Sequence, residues 1–323
     1  MSSDVLCLRP ESDFTRAGVT PPSTLSITYR QHDDPQLAAL LRPVNALVIP
    51  AVGPKVPALL FKDSGIKLVQ VTGAGVDRLD EAAMKGLGIA VCNVPGNPAV
   101  AEYCVALAIV LLRRLTWADA EIRAGNYIPF RGRLVTDNFS GLDGLTAGIV
   151  GLGVVGQSVA AAFRRHGCRI VYHDPAPRES AAAQLEAQLL PLPELLAAAD
   201  VVSVHVPLLP QTRNLLGPRQ FGLMKPGAVL IQASRGGIVN EQALITHLNS
   251  GRLGGAAVDV YSTEPPEPDH PLFALEDEAA RRVIFTPHVA GVTRQAWTSL
   301  FSEAWANVER VLVKGEAPKN RVY

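Results

Sequence analysis

Two groups of residues in this chain have the types and spacing to do chemistry. The first is Gly151-Leu152-Gly153-Val154-Val155-Gly156, which follows the apolar run Ala147–Val150 and opens an apolar stretch; Asp174 stands eighteen positions past Gly156. In that setting the first glycine permits a tight turn, the second lets a pyrophosphate approach the backbone, and the third lets a helix pack closely on its strand. The N-terminus of the helix presents N–H donors to an anion. Asp174, at the end of the next expected strand, suits the hydroxyls of a ribose and would repel a 2′-phosphate. Arg178 is near it, but Pro175 and Pro177 intervene and make it a poor phosphate clamp. The motif therefore points to a dinucleotide, with NAD favoured over NADP.

The second group falls at the ends of later apolar runs: His205-Val206-Pro207, Ser234-Arg235-Gly236-Gly237, Asp259 followed by Glu264, and Pro287-His288. In open α/β sheets ligands bind outside the carboxyl ends of the strands, so these residues are expected to converge on the dinucleotide edge. Arg235 carries a planar fork that holds a carboxylate bidentately, or else makes a structural salt bridge. His288 is either a proton donor working near neutral pH or a core histidine satisfied by backbone. Glu264 is either its partner or a solvated loop carboxylate before Pro265 and Pro266.

Parallel strands covered by helices are what such an edge requires, and the chain has that rhythm. Val5–Leu8, Leu25–Thr28, Ala46–Ile49, Lys67–Val71 and Ile89–Cys92 read as strands, with helical segments such as Pro35–Leu41 between them. Asn97 can cap and Pro98 suits a first helical position, so a long helix is expected from there through Arg113 and Arg114 towards Gly125. A second block follows, with strands at Ala147–Val150, Arg169–Tyr172, Val201–Val206, Ala228–Ala233, Gly255–Val258 and Val283–Phe285. Gln295–Val313 has helical spacing through Trp297, Leu300, Phe301, Trp305, Val308 and Leu312 and is expected to return to the first block. The fold class is thus α/β with two doubly wound parallel-sheet domains: a Rossmann dinucleotide domain, 98–290, inserted into a flavodoxin-like substrate domain, 1–97 with 291–323. Gly73-Ala74-Gly75-Val76, after a strand of the first block, can form a nest of N–H donors for an anion.

The composition agrees with this and excludes other classes. The 323 residues suit about two domains. Lys+Arg and Asp+Glu are both 30, giving zero formal charge and none of the basic excess that nucleic-acid or anionic-membrane binding needs. The most apolar run, Tyr103–Leu112, is far short of the roughly 20 residues of a bilayer span. No secretion signal is read at Met1-Ser2-Ser3-Asp4, and Cys7, Cys92, Cys104 and Cys168 form no C-x-x-C pair. A cytoplasmic protein with reduced thiols and no metal site is expected.

Taken together, Gly151–Gly156 with Asp174, Ser234-Arg235-Gly236, Val258-Asp259-Val260-Tyr261 leading to Glu264-Pro265, and Thr286-Pro287-His288 resemble the D-isomer-specific 2-hydroxyacid dehydrogenases in order and context. The likeness includes Gly73–Asp77, Asn93-Val94-Pro95 and Ala101-Glu102, and so spans nearly the whole chain. It implies NAD-dependent interconversion of a small 2-oxo acid and its D-2-hydroxy acid, with Arg235, Glu264 and His288 as the catalytic set and Gly73, Ala74, Gly75, Val76 and Asn97 at the substrate. It further implies that Asp259 receives the carboxamide of the cofactor. Val154, Val155, Val206, Pro207, Thr212, Ala233, Ser234 and Ala290 would line the rest of its surface, together with Arg235 and His288. The family implies a homodimer, with Asn126–Leu142 as an arm or an ordinary surface loop. Ala74, where phosphite-oxidising relatives carry lysine, and Glu264, where formate-oxidising relatives carry an amide, speak against those activities. The Pro95–Ala101 loop looks short, and Tyr103 stands where a histidine is frequent. Two rival readings are a dinucleotide-sensing, corepressor-like protein and a short phosphoglycerate dehydrogenase.

Overall fold

The computed structural model describes residues 3–137 and 139–323. Outside the described residues lie Met1 and Ser2, which open the expected substrate domain and the Met1–Asp4 stretch, and Asn138 of the Asn126–Leu142 segment. Two compact units result, Met1–Asn97 with Val292–Tyr323 and Pro98–Gly291, so Gly291 falls with the inserted unit.

In the discontinuous unit five strands, β1 Ser3–Cys7, β2 Leu25–Tyr29, β3 Ala46–Ile49, β4 Leu68–Val71 and β5 Ala90–Cys92, form one parallel sheet in the order β2-β1-β3-β4-β5. That is the flavodoxin-like order. A parallel sheet covered on both faces needs apolar side chains on both, which is why Ala46-Leu47-Val48-Ile49 is buried at every position. One face packs on the helix Arg294–Leu312, through Leu300, Phe301, Trp305 and Val308, together with Phe14. Thr293 caps that helix by accepting from Ala296 N at 3.1 Å. The buried Asn307 amide donates to Gln70 Oε1 on β4 at 2.7 Å and orients the helix on the sheet. Val91 exchanges backbone hydrogen bonds with Val322 and Tyr323, its N donating to Tyr323 O and its O accepting from Val322 N, both at 2.8 Å.

The continuous unit has seven parallel strands: β6 Thr146–Val150, β7 Arg169–His173, β8 Gln188–Leu189, β9 Val201–Val204, β10 Val229–Gln232, β11 Gly255–Val258 and β12 Val283–Phe285. Their order is β12-β11-β10-β9-β6-β7-β8, so the winding reverses between β6 and β9. The seventh strand, Gln188–Leu189, is two exposed residues at the sheet edge, too short to show a period in sequence. The helix from Pro98 does not reach Gly125 unbroken. It divides into Pro98–Leu112 and Leu115–Arg123 because Arg114 turns left-handed at φ 53° while its Nη1 donates to Gly254 O at 2.6 Å. The Asn126–Leu142 segment is helical over Tyr127–Asp137 and is clamped to the preceding helix by Trp117, whose ring lies 5.3 Å from that of Phe130 and 4.4 Å beneath Arg133. All four cysteines are buried free thiols. Among the described residues no helix is long and apolar enough to cross a membrane.

Phe301 is fully buried with its ring 4.8 Å from Phe14, so Phe301→Ala removes the centre of one sheet-covering layer. Urea unfolding should show a loss of about 3–5 kcal/mol in the discontinuous unit.

Candidate active site

The glycine turn joins β6 to the helix Val154–Arg165, and its three glycines are required for three different reasons. Gly151 has φ +96°, and a Cβ there would stand 2.6 Å from His205 O. At Gly156 a Cβ would come 2.0 Å from Gly151 O, so the helix could not start where it does. Gly153 differs, because a Cβ built on it meets nothing within 4 Å. The space in front of the turn is open, and no side chain caps the helix, whose first amides lack intrahelical partners. Asp174 follows β7 with only 8% of its side chain exposed; its Oδ2 accepts from Leu152 N at 2.9 Å and its Oδ1 from Ala176 N at 3.0 Å. Each oxygen keeps a lone pair for a ribose hydroxyl. Arg178 Nε is 3.8 Å from Asp174 Oδ2. Open space at the second glycine, an uncapped helix start and a carboxylate beyond the next strand are a donor and acceptor set that fits a dinucleotide.

Beyond β9, the His205 ring is buried and bonded to Ser203 Oγ at 2.7 Å; burial pushes its pKa down to about 4, so it is neutral at physiological pH. Pro207 leads into a loop closed by Thr212, whose hydroxyl donates to Pro207 O at 2.6 Å and accepts from Leu209 N at 2.7 Å.

The turn after β10 is shaped by a buried glutamine in an otherwise apolar strand. Gln232 Nε2 donates to Arg235 O at 2.8 Å, and Gln232 Oε1 accepts from Ser234 Oγ at 2.9 Å. A Cβ on Gly236 would stand 1.7 Å from Tyr261 O, so the Arg235 turn lies directly on the chain leaving β11.

That chain carries Asp259, which is 1% exposed. Its Oδ1 accepts from Thr286 Oγ1 at 2.6 Å and Val289 N at 2.9 Å, its Oδ2 from Ala290 N at 2.9 Å, and its carbonyl from His288 N at 2.8 Å. Tyr261 Oη donates to Thr286 O at 3.1 Å. Held on so many sides, His288 adopts φ 53°, a left-handed conformation rare for a residue with a Cβ. Its Nδ1 lies 2.8 Å from Glu264 Oε2, while Glu264 Oε1 accepts from Tyr261 N at 3.0 Å. Burial alone would raise the Glu264 carboxyl. The hydrogen bonds from His288 and from the Tyr261 amide, with the charges of His288 and Arg235, outweigh it and hold the group below the usual carboxylate range.

Arg235, Glu264 and His288 are thus one cluster at the carboxyl ends of β10, β11 and β12. Ser234, Asp259 and Ala290 stand around it, and Ala233 packs into the layer beneath. Val206 flanks the glycine turn, its Cγ1 2.8 Å from where a Cβ on Gly151 would stand, while within the turn Val154 is exposed and Val155 partly buried. Sequence reasoning overlooked Gln232, Tyr261 and Thr286 as supports; a lone glutamine closing an apolar strand was the one available signal. The other predicted group belongs to the discontinuous unit. There Gly73-Ala74-Gly75-Val76 follows β4, Val94 N donates to Gly73 O at 3.0 Å and Asn93 Nδ2 to Ala74 O at 2.7 Å, leaving the loop's shape fixed by its neighbours; Asn97 ends this part of the unit. Among the described residues no three His, Cys, Asp or Glu side chains gather as a metal would need.

Comparison with known proteins identifies relatives of the chain. Residues 105–290 match the family model for the D-isomer specific 2-hydroxyacid dehydrogenase NAD binding domain. The chain is 34% identical to a glyoxylate reductase of Korarchaeum cryptofilum over 94% of its own length and 86% of the relative's. It is 37% identical to a D-3-phosphoglycerate dehydrogenase of Archaeoglobus fulgidus over 72% of its own length and 42% of the relative's. It spans less than half the length of the first such dehydrogenases it matches, 42% and 48%. Among solved structures, the apo D-lactate dehydrogenase of Escherichia coli superposes with a TM-score of 0.77 at 26% identity, covering 99% of this chain and all of the other.

The lowered pKa of Glu264 gives a signed pH dependence. Its contribution to stability is fully present above the unfolded value, about 4.3 for glutamate, and disappears as pH falls through the lower folded value. The difference in unfolding free energy between the native chain and Glu264→Gln should therefore be largest above about pH 5 and shrink towards pH 3 in urea titrations.

Proposed function

The chain belongs to the D-isomer specific 2-hydroxyacid dehydrogenase family, and from that premise we propose that it reduces a small 2-oxo acid to the D-2-hydroxy acid, and catalyses the reverse, with NAD(H). The observation that carries the reading is the 2.8 Å contact between His288 Nδ1 and Glu264 Oε2, on a loop whose backbone is fixed by Asp259.

Glu264 holds the tautomer and orientation of the imidazole through Nδ1. Nε2 then gives a proton to the carbonyl oxygen on reduction and takes it back from the hydroxyl on oxidation. Arg235 binds the substrate carboxylate and polarises the ketone, stabilising the negative charge that grows on its oxygen. Within the discontinuous unit the N–H groups of Gly73–Val76 form a nest suited to a carboxylate, and Asn97 is a further candidate for binding it. NADH supplies the hydride when bound. The uncapped turn at Gly153 would hold its pyrophosphate, Asp174 its ribose, and Asp259 Oδ2, which accepts one amide, its carboxamide. Val206, Pro207, Thr212, Ala233 and Ala290 line its remaining faces. The carboxylate of Asp174, already bonded to two amides, opposes a 2′-phosphate, which favours NADH over NADPH.

A homodimer in the cytoplasm completes the proposal. The helix Tyr127–Asp137 exposes Tyr127, Ile128 and Val135, with Ile128 81% exposed, as a face for a second copy. Ile128→Glu should shift the sedimentation of the protein from dimer towards monomer.

The activity is tested by NADH oxidation with glyoxylate, hydroxypyruvate, pyruvate, longer 2-oxo acids and 3-phosphohydroxypyruvate. Turnover of a small unphosphorylated acid is expected, and silence with all of them would sink the proposal. His288→Gln should lower kcat by about a hundred-fold or more while leaving NADH affinity within two-fold, since proton transfer typically contributes that much. A dinucleotide sensor would lose nothing in that variant.

A further inference from the structure

Arg78 is a buried guanidinium outside the cluster described above. It is 4% exposed in the discontinuous unit, two positions after the Gly73–Val76 nest. Its Nε donates to Pro54 O at 2.7 Å and its Nη1 to Pro50 O at 2.8 Å, while its own carbonyl accepts from Val56 N at 2.9 Å. One planar fork thus holds both ends of the loop Pro50-Ala51-Val52-Gly53-Pro54 that follows β3. Gly53 lies at φ +132°, and a Cβ there would stand 3.3 Å from Arg78 Cζ, so the loop closes over the guanidinium with no room to spare. On its other side the same loop touches the nest, where a Cβ on Gly73 would come 2.8 Å from Ala51 Cβ. Burying a cation is costly, and burial does lower the pKa of Arg78, with the Asp77 charge acting against it. An apolar side chain could fill the volume but could not fix two carbonyls in one plane.

We propose that Arg78 is a positioning residue that sets the enzyme's affinity for the 2-oxo acid by holding the Pro50–Pro54 loop against the anion nest. The inference rests on the 2-oxo acid reading of the site. Arg78 has no contact with the reacting atoms in this role. It fixes the wall beside the carboxylate, and its buried positive charge adds to the field of the nest. Its loss therefore weakens ground-state and transition-state binding alike, which raises KM and spares kcat.

The test compares the wild type with Arg78→Met, Arg78→Lys and Gly53→Ala, using the best 2-oxo acid of the panel and oxamate as a non-reacting analogue. In Arg78→Met, KM and the oxamate inhibition constant should rise together by about ten-fold or more, the scale expected for losing hydrogen bonds from a charged donor. The value of kcat should stay within two-fold and NADH affinity should not change. Arg78→Lys, a point donor able to reach one carbonyl, should recover part of the loss. Gly53→Ala presses on the fork from the other side and should show the same split. Thermal unfolding accompanies each variant, and if Arg78→Met does not fold, the other two decide. Folded variants that leave KM and the oxamate constant unchanged, or that lower kcat as much as they raise KM, overturn the inference while the proposed activity stands. A wild type that turns over no 2-oxo acid overturns both.

Discussion

Asp259 is a carboxylate taken out of water at the end of β11, and the carboxyl edge of the sheet is arranged around the need to satisfy it. A buried charge is tolerated only when donors surround it, and here they come from one short stretch of chain: the Thr286 hydroxyl and the amides of Val289 and Ala290. With the His288 amide on the Asp259 carbonyl, those bonds leave the loop after β12 one backbone path. The left-handed conformation of His288 is a consequence of that path, and the position of its ring beside Glu264 follows from the conformation. Tyr261, donating to the Thr286 carbonyl, reinforces the same constraint.

Close approach of backbones supplies the second constraint. Gly156 against Gly151, Gly151 against His205 and Gly236 against Tyr261 are contacts that no side chain could share. They press the end of β6 against the chain leaving β9, and the turn after β10 against the chain leaving β11. Gly153 stands apart as the one glycine of its motif that is small towards empty space. The motif therefore joins two requirements with the same residue type: two positions that let the protein touch itself, and one that keeps it from touching anything.

Much of this was readable in the sequence. β3, β11 and β12 begin and end where their apolar runs do, and the Gly151–Gly156 turn, Asp174, Arg235, Glu264 and His288 stood out because their types are costly where apolar runs end. The missing parts have physical reasons. The strand Gln188–Leu189 is shorter than any period, and the break at Arg114 depends on a carbonyl, Gly254, distant in sequence. The multiple hydrogen bonding of Asp259 is invisible because backbone amides of any residue type can supply it. Arg78 carries no signal of its own in the sequence for the same reason, since its partners are main-chain carbonyls. Of the cluster as a whole, the polar side chains that end the strands were legible and their supports were not.

The discontinuity of the first unit has a consequence for how the molecule is made. Its sheet face is covered by the helix Arg294–Leu312, through contacts such as Thr24 with Glu309, Ala17 with Thr298 and Gln70 with Asn307, that span hundreds of positions. A ribosome releases the chain from its first residue onward, so β1 to β5 emerge long before the helix that shields Phe14, Val48 and Leu68. The continuous unit has all its strands in one stretch and can be complete while the earlier one still shows its apolar face. In synthesis the first-made unit is therefore the last to become native, and its apolar face is the one that waits longest for cover.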